Sequence, residues 1–413
     1  VAIALQGALA IVIIVALSGI YGKILNYVMS VDTVFFALSA ACLFVFRRRD
    51  GRTSFRVPWH PLTTMVFIIA ESFVALSVVI NYPLAELPVT LADLELSGPS
   101  FYGYAPLQQA LAEKCGVDPD CVVHATGTSL ANHLAMATIL EPGDEVIVEH
   151  PAYDPLLAVP RYLGATVKRF TRRREDGFRL DLTELERVVT NRTRLIVLTN
   201  MHNPTGALAG EGPLRQLGEL ARRVGARVLV DEVYLEAIFD EARPYAFQLG
   251  REFVTTSSLT KAYGLSGLRC GWILAEPELA HRIWRLHDIF GGIPAHPAER
   301  LSVVALGHLD RIAARAQALL DANWAVLNQF LDSRRDLDSF RPRFGTVASP
   351  RLKNGNVDHL CALLREKYEA AVVPGRFFDM PEHFRIGIGI PGDILREGLA
   401  RLGAALDEVA KRG

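Results

Sequence analysis

Lys261 lies in a segment, Ser257 to Arg269, that is rich in glycine and hydroxyl residues. A lysine amine that has lost its proton attacks a carbonyl carbon and forms a Schiff base. Ser257, Ser258 and Arg269 add hydrogen-bond donors suited to a phosphate, the arginine as a planar fork. The segment therefore predicts carbonyl chemistry beside a phosphate site. A solvated lysine in a Gly/Ser loop is the alternative interpretation.

From Pro88 onward, short β-type runs alternate with helical ones, which is the pattern of a parallel α/β sheet. The predicted strands are Glu145–Glu149, Thr166–Phe170, Arg194–Thr199, Arg227–Asp231, Glu252–Thr256 and Cys270–Ala275. The predicted helices are Leu107–Lys114, Ser129–Leu140, Leu182–Val189, Leu214–Val224 and Pro277–Ile289. A long helical region, Ala298 to Phe330, then leads into a smaller α+β unit from Phe340 to Gly413, with a strand starting at Phe384. The sequence thus predicts a doubly wound, mostly parallel sheet followed by a smaller C-terminal domain.

Polar residues follow several predicted strands, and ligands of open α/β sheets bind beyond the carboxyl ends of strands. Gly127, Thr128 and Ser129 open a helix, whose N-terminal N–H groups can hold a phosphate. An ordinary helix N-cap is the alternative for these residues. Tyr153 follows the strand Glu145–Glu149 and offers a ring that can stack on a planar cofactor. A core or surface tyrosine is an equally good interpretation of Tyr153 alone.

Two further strand ends carry groups suited to a heteroaromatic ligand. Asn203 begins an Asn-Pro-Thr-Gly sequence after the strand Arg194–Thr199, where its amide is available to a ligand oxygen. Asp231 ends another strand, where a carboxylate can pair with a protonated ring nitrogen. Tyr234 can donate to a phenolate oxygen. Taken singly, a turn explains Asn203 and a helix N-cap explains Asp231.

Together these residues occur in the order and spacing of fold-type I pyridoxal phosphate enzymes. The chain resembles the class I/II aminotransferases from about Ala92 to Gly413, and the element Ser-x-x-x-Lys-x-x-Gly-x-x-Gly-x-Arg is the most specific part of the likeness. The resemblance implies pyridoxal 5'-phosphate as cofactor. It also implies a homodimer that transfers an amino group from an L-amino acid to a 2-oxo acid.

The resemblance further implies a role for each residue. Lys261 would form the Schiff base with the cofactor and then move the proton at the substrate Cα, while Asp231 would keep the pyridine nitrogen protonated. The other implied roles are hydrogen bonds to O3′ from Tyr234 and Asn203, stacking by Tyr153, phosphate binding by Gly127, Thr128, Ser129, Ser257 and Arg269, and binding of the substrate carboxylate by Arg385 with Asn203.

The chain departs from the family pattern before Gly103. In the family, an N-terminal arm contacts the partner subunit and forms a wall of the substrate site, and here that arm is expected to be absent. Tyr102 is the nearest counterpart of the tyrosine that reaches the neighbouring subunit's phosphate. No second arginine for a dicarboxylate substrate can be assigned, since Arg285 is equally well a surface residue.

Residues 1–83 belong to a different physical class. Three apolar runs, Val1 to Ile20, Tyr27 to Phe46 and Thr63 to Tyr82, are each long enough to cross a bilayer and predict about three transmembrane helices. A buried bundle of soluble helices is the alternative. With the arginine-rich loop between the second and third runs, the segment resembles the last membrane helices of amino acid permeases. The arginines would place that loop inside and the catalytic domain outside, whereas the family implies a cytoplasmic catalytic domain. Either the orientation rule fails because the large domain folds first, or the chain joins parts of two genes. We expect the second, a permease remnant fused to an arm-truncated aminotransferase.

Composition excludes other classes of protein. The formal net charge of −1 offers no excess positive charge for nucleic acid. Five cysteines without CxxC spacing favour reduced thiols over disulfides or a zinc site. The predicted division of the chain is a transmembrane segment, a cofactor-binding large domain and a small C-terminal domain, at residues 1–83, 84–295 and 296–413.

The sequence therefore predicts a pyridoxal phosphate-dependent aminotransferase. Other reactions on the same scaffold stay open, such as those of a β-lyase, a decarboxylase or a synthase, because the orientation of the substrate decides which Cα bond breaks. A membrane-tethered domain that binds the cofactor with little turnover is a third possibility. We expect the protein to be membrane-associated through residues 1–83 with a cytoplasmic catalytic domain, or cytoplasmic without that segment.

Overall fold

The computed structural model describes residues 103–241, 243–292 and 294–412. These ranges belong to one compact unit, Val89–Gly413. Within them, no helix combines the length and the hydropathy needed to cross a bilayer. The three predicted transmembrane runs, the permease resemblance and Tyr102 lie outside the described residues.

A seven-stranded sheet forms the centre of this unit. Its strands, in the order in which they lie side by side, are β1 (Val122–Thr126), β7 (Cys270–Leu274), β6 (Phe253–Ser258), β5 (Arg227–Asp231), β4 (Thr193–Thr199), β2 (Glu145–His150) and β3 (Thr166–Thr171). Strands β2 to β6 pair in parallel, whereas β7 runs antiparallel to both of its neighbours. The prediction of a mostly parallel sheet is confirmed.

Helices cover both faces of the sheet. They are α1 (Ala105–Cys115), α2 (Thr128–Ile139), α3 (Pro155–Tyr162), α4 (Leu182–Val188), α5 (Glu211–Val224) and α6 (Pro277–Phe290). In β2, Val146 and Val148 join a core with α2, α3 and α6, while Ile147 joins a second core with α4 and α5. Strands buried on both faces are continuously apolar for this reason.

The C-terminal part combines long helices with short strands. Its helices are α7 (His296–Gly307), α8 (Leu309–Ser333), α9 (Val357–Lys367) and α10 (Gly392–Arg412). Its strands are β8 (Leu337–Asp338), β9 (Val347–Ala348), β10 (Arg351–Leu352), β11 (Val373–Pro374) and β12 (Phe384–Gly387). β12 lies between β11 and β9 in a three-stranded sheet. This part is α+β as predicted, and the domain boundary at residue 295 stays a prediction.

Sequence patterns missed β1 and α3 in the central part. β1 has five residues with the polar His124 in its middle, so neither alternation nor a long apolar run marks it. Its place depends on pairing with β7, which lies far along the chain. The six strands that were predicted for the central sheet are present within two residues of their predicted ends. The single helical region predicted from Ala298 is two helices, α7 and α8, that meet at His308.

Candidate active site

One edge of the central sheet brings most of the predicted site residues together. The carboxyl ends of the parallel strands β2, β4, β5 and β6 meet there. Because β7 runs the opposite way, its first residue Cys270 pairs with Thr126 at the end of β1, and Gly271 pairs with Ser258 at the end of β6. The topology therefore places the segments after β1, β2, β4, β5 and β6, and the segment before β7, at the same edge.

The first turn of α2 lies against Arg269. Gly127 has φ +82°, a conformation that favours glycine, and a Cβ at this position would lie 2.4 Å from Nη2 at the end of the Arg269 side chain. The Thr128 hydroxyl is buried and has no hydrogen-bond partner among the described residues. Ser129, next in the helix, is exposed. Helix N–H groups, an unpaired buried hydroxyl and a guanidinium group together suit a phosphate.

Ser257 and Ser258 face opposite sides of the sheet, because successive side chains of a strand alternate. The Ser257 side chain is buried, and its hydroxyl donates to Oε1 of Glu236 over 3.2 Å. Thr256 faces the other side, where its hydroxyl donates to the Asn132 side chain over 2.6 Å. Ser258 shares that side with Thr256. The side chain of Ser257, a predicted phosphate ligand, thus lies on the side of the sheet opposite to Asn132 of α2. Ser258 replaces Ser257 as the candidate phosphate ligand.

Asp231 is a buried carboxylate with few partners. Its Oδ2 accepts from the Asn132 side-chain amide at 2.8 Å, and its Oδ1 accepts from the N–H of Val233 at 3.2 Å. The Thr256 hydroxyl donates to the side-chain oxygen of Asn132 and so fixes the orientation of that amide. Among the described residues, Asp231 forms no ion pair within 4 Å. Burial raises the pKa of Asp231 to about 6, so the carboxylate suits a cationic partner from outside the protein.

Lys261 follows β6 and is exposed to solvent. Its pKa is lowered, first by partial loss of hydration and then by the positive charge of Arg385; Asp231 opposes this effect and Arg269 adds to it. The amine is thus exposed and yet partly desolvated. A ligand can reach it, and more of it is neutral and nucleophilic than for an ordinary surface lysine.

Arg385 extends from β12 to the same edge. Its Nη1 donates to Oδ1 of Asn203 over 3.0 Å, and its guanidinium carbon lies 4.7 Å from the ring centroid of Phe378. Tyr153 stacks on Phe378 with ring centroids 6.3 Å apart. Asn203 is the one hydrogen-bond partner of Arg385 among the described residues, which leaves the rest of the planar fork for a carboxylate.

Tyr234 is buried in the same group of side chains. Burial raises its pKa, and Arg385, Asp231 and Tyr153 also influence it. The phenol therefore keeps its proton at neutral pH and can donate a hydrogen bond to a ligand.

A buried ion pair behind the edge fixes the position of Asn203. Glu149 accepts from the N–H and the hydroxyl of Thr199 at 2.7 and 2.6 Å, and from Arg172 at 3.0 Å. The same Thr199 hydroxyl accepts from the N–H of Asn203 at 2.9 Å. Arg172 and Glu149 are both fully buried, and their charges compensate each other. This network, which sequence patterns did not reveal, thus holds the backbone of Asn203, the residue whose side chain contacts Arg385.

Sequence reasoning missed Asn132 and Phe378 as well. Asn132 lies one helical turn after Thr128 on α2, so helix periodicity alone would have placed both side chains on one face. Phe378 ends the short turn Gly375–Phe378, and no spacing rule marks it. Arg285 is exposed on α6, which agrees with its interpretation as a surface residue.

The sheet brings Lys261 and the first turn of α2 to one edge, an arrangement that suits a pyridoxal phosphate enzyme. Residues 93–402 match the family described as aminotransferase class I and II. This match covers most of the chain, and the chain belongs to that family.

Relatives with known names carry out more than one reaction. Capreomycidine synthase from Streptomyces vinaceus is 34% identical over 358 residues, which cover 83% of this chain and 91% of that protein. Aspartate aminotransferase from Streptomyces avermitilis is 25% identical, covering 79% and 87%. A PLP-dependent aminotransferase structure from Streptococcus suis superposes with a TM-score of 0.73 at 27% identity, covering 77% and 86%. The structure of the PLP-dependent cyclase OrfR gives a TM-score of 0.70 at 28% identity, covering 79% and 88%.

The cofactor is pyridoxal 5'-phosphate, and the described residues fit each part of it. The unpaired hydroxyl of Thr128 suits the phosphate. The carboxylate of Asp231, which has no ion pair among the described residues, suits the protonated pyridine nitrogen. The amine of Lys261, with its lowered pKa, suits the aldehyde.

Proposed function

We propose that the protein is an aminotransferase that moves an amino group from an L-amino acid to a 2-oxo acid. One observation carries the proposal: Arg385 reaches the edge of the sheet that carries Lys261, where Asn203 accepts one of its N–H groups over 3.0 Å, and its charge lowers the pKa of Lys261. A carboxylate-binding arginine beside a proton-accepting amine is what an α-amino acid substrate requires. With its carboxylate on Arg385, such a substrate presents its Cα to Lys261.

The bound cofactor supplies a carbonyl for the substrate amine and a ring that takes up the electrons of the broken Cα bond. Arg385, backed by Asn203, orients the substrate through its carboxylate. Lys261 would be the group that takes the proton from the substrate Cα and returns it at C4′ of the bound cofactor. Because the pKa of Lys261 is lowered, the neutral amine needed for this transfer is more abundant than on an ordinary lysine.

The other site residues hold the cofactor in place. Asp231 keeps the proton on the pyridine nitrogen, since a carboxylate removed from water interacts strongly with a cation. Tyr234 and Asn203 would donate to O3′ of the bound cofactor, and Tyr153 would stack on its ring. The phosphate is assigned to the first turn of α2 and to two neighbouring segments, through Gly127, Thr128, Ser129, Ser258 and Arg269.

A second class of reaction has specific support. The relatives at 34% and 28% identity described above are a synthase and a cyclase. Both reactions use this cofactor scaffold, and they differ from transamination in the fate of the substrate after a Cα bond breaks. Synthase, β-lyase or decarboxylase chemistry is therefore the alternative proposal.

Incubation of the purified protein with single L-amino acids, without any 2-oxo acid, separates these proposals. An aminotransferase releases one 2-oxo acid for each active site, converts the cofactor to its amine form and stops. A β-lyase releases pyruvate and ammonia continuously, a decarboxylase releases carbon dioxide, and a cyclase forms a cyclic amino acid. Failure of every amino acid to react while the cofactor stays on Lys261 would contradict all of these and favour a binding domain with little turnover.

We also propose a homodimer, as is usual for the family, and membrane attachment through residues 1–83, which rests on their three apolar runs. Light scattering of the detergent-extracted protein tests the first proposal. Fractionation of cell membranes tests the second, and recovery of the full chain without detergent would contradict it.

A further inference from the structure

Glu236 accepts hydrogen bonds from four side chains, of which three are buried and that of Lys114 is partly buried. Its carboxylate accepts from the Lys114 ammonium at 2.7 Å, the Tyr245 hydroxyl at 2.5 Å, the Tyr263 hydroxyl at 2.9 Å and the Ser257 hydroxyl at 3.2 Å. Lys114 also donates to the Tyr245 hydroxyl over 2.7 Å. The side chains of Lys114 and Glu236 are 13% and 4% exposed. We call these five residues the Glu236 cluster.

Two members of the Glu236 cluster belong to the segment that carries Lys261. Ser257 precedes Lys261 by four residues, and Tyr263 follows it by two. Between them the chain closes on itself, since the N–H of Leu265 donates to the carbonyl of Leu259 over 3.2 Å. The cluster therefore holds the chain on both sides of the lysine, from the face of β6 opposite to Thr256.

The Glu236 cluster also joins this segment to the one that carries Asp231. Glu236 lies in the short turn Leu235–Ala237, directly after Tyr234. Lys114 adds a third element, because it lies at the end of α1 and its ammonium is 5.2 Å from the centroid of the Trp272 ring on β7. The Glu236 carboxylate thus connects the segment that carries Asp231 with the segment that carries Lys261.

We propose that Glu236, charge-balanced by Lys114, is a positioning residue for Lys261. It does not meet the substrate. It fixes the lysine segment relative to the segment of Asp231, so that the amine lies where the Cα proton has to be taken. Small displacements of a reacting group reduce rates strongly, and rigid support of this kind prevents them. The inference rests on the proposed role of Lys261.

A purely stabilising role for the cluster is the competing explanation, and the chain contains a matched pair of tyrosines that separates the two. The hydroxyls of Tyr245 and Tyr263 both donate to Glu236, and the two residues are 8% and 7% exposed. Only Tyr263 lies in the lysine segment. Loss of either hydroxyl removes one hydrogen bond to Glu236. Tyr245→Phe also removes the bond that Lys114 donates to Tyr245, so its cost to global stability should be at least as large as that of Tyr263→Phe.

The test compares Tyr263→Phe with Tyr245→Phe in the full chain. In the cofactor-free protein, hydrogen exchange of the peptide covering residues 257–265 is expected to speed up about tenfold in Tyr263→Phe and to stay within about twofold of wild type in Tyr245→Phe. In the cofactor-loaded protein, the pH midpoint of the cofactor absorbance band is expected to shift in Tyr263→Phe alone.

Equal responses of the two variants, or no response of Tyr263→Phe, would overturn the positioning role. If Tyr263→Phe does not fold, Ser257→Ala removes the other contact in the lysine segment and the same outcomes apply. Borohydride reduction of the loaded wild-type protein, followed by peptide mapping, is the separate check on Lys261. Label on a different lysine defeats the proposed function, whereas label on Lys261 with unchanged exchange in the variants defeats only the positioning role.

Discussion

Asp231, at the end of β5, and Glu236, in the turn that follows, are both buried carboxylates, and their partners differ. Glu236 has the Lys114 ammonium at 2.7 Å and three hydroxyls within 3.2 Å. Asp231 has one side-chain amide, one backbone N–H and, among the described residues, no ion pair. The two residues are almost equally buried, since Glu236 is 8% exposed and Asp231 is 5% exposed. Burial therefore does not distinguish them, but charge compensation does.

A buried carboxylate is costly unless a positive charge and hydrogen bonds replace its lost hydration. The chain supplies this compensation to Glu236 through its own lysine. At Asp231 the compensation is incomplete, and burial raises the pKa to about 6. A protonated pyridine nitrogen would complete it. The carboxylate that the protein leaves without an ion pair is thus the one expected to act on a ligand.

The sharpest test of this comparison is Asp231→Asn, which keeps the shape and removes the charge. We expect removal of the Cα proton to slow about a thousandfold, because an amide does not hold a proton on the pyridine nitrogen. Folding should not suffer, since no internal cation loses its partner. Stopped-flow measurement of the amino-acid half-reaction checks this. A wild-type rate would show that Asp231 has no such role.

Glu236→Gln is the matched substitution at the other carboxylate. Here Lys114 would remain buried without its counter-charge, and we expect the free energy of unfolding to fall by about 3 kcal/mol. Denaturant titration of both variants measures the contrast. If Glu236→Gln is as stable as wild type, or if Asp231→Asn is the less stable variant, the proposed difference between the two carboxylates is wrong.

Asp231 and Lys261 were predictable from sequence because the alternation of strands and helices shows where each strand ends. The face on which a side chain lies was harder to predict. β6 continues to Ser258, two residues beyond its predicted end at Thr256. Only the hydrogen bonds of Thr256 and Ser257 show on which side of the sheet Ser257 and Ser258 lie. Asn132 lies 99 residues from its partner Asp231, and Lys114 lies 122 residues from Glu236. Pairings at that distance depend on tertiary packing, which local patterns do not encode.

The pKa of Asp231 makes a prediction about the cofactor-free protein. A carboxyl whose pKa is higher in the folded than in the unfolded chain stabilises the fold at low pH, and this contribution is lost as the pH rises through the folded-state value. With a rise from 3.8 to about 6, wild type should lose up to about 3 kcal/mol relative to Asp231→Asn between about pH 4 and pH 7. Denaturant titrations of both proteins at the two pH values test this. If the free energy of unfolding changes equally in both proteins between the two pH values, the prediction is wrong. Burial raises the pKa of Glu232 to about 8, but Glu232 is present in both proteins, so its effect on stability cancels in the comparison.

Asn132→Ala probes the support of Asp231 rather than its charge. Loss of the 2.8 Å hydrogen bond should raise the pKa of Asp231 further and slow the half-reaction about tenfold. Thr256→Val, which removes only the bond behind Asn132, is expected to show the same trend more weakly. The pH dependence of the half-reaction rate checks both variants. A larger effect of Thr256→Val would mean that Asn132 does not hold Asp231 in place.

Removal of residues 1–83 is expected to have the smallest effect on the chemistry. The predicted cofactor-binding and substrate-binding residues extend from Gly127 to Arg385, and the family match begins at residue 93, so both lie beyond the apolar runs. Apolar runs of that length can bury their surface in lipid and do not need the sheet as a partner. The shortened chain, residues 84–413, should therefore bind the cofactor on Lys261 as the full chain does, measured by absorbance and borohydride labelling. Loss of cofactor binding in the shortened chain alone would show that the apolar segment supports the site, and that the separation between the two parts of the sequence is not a functional one.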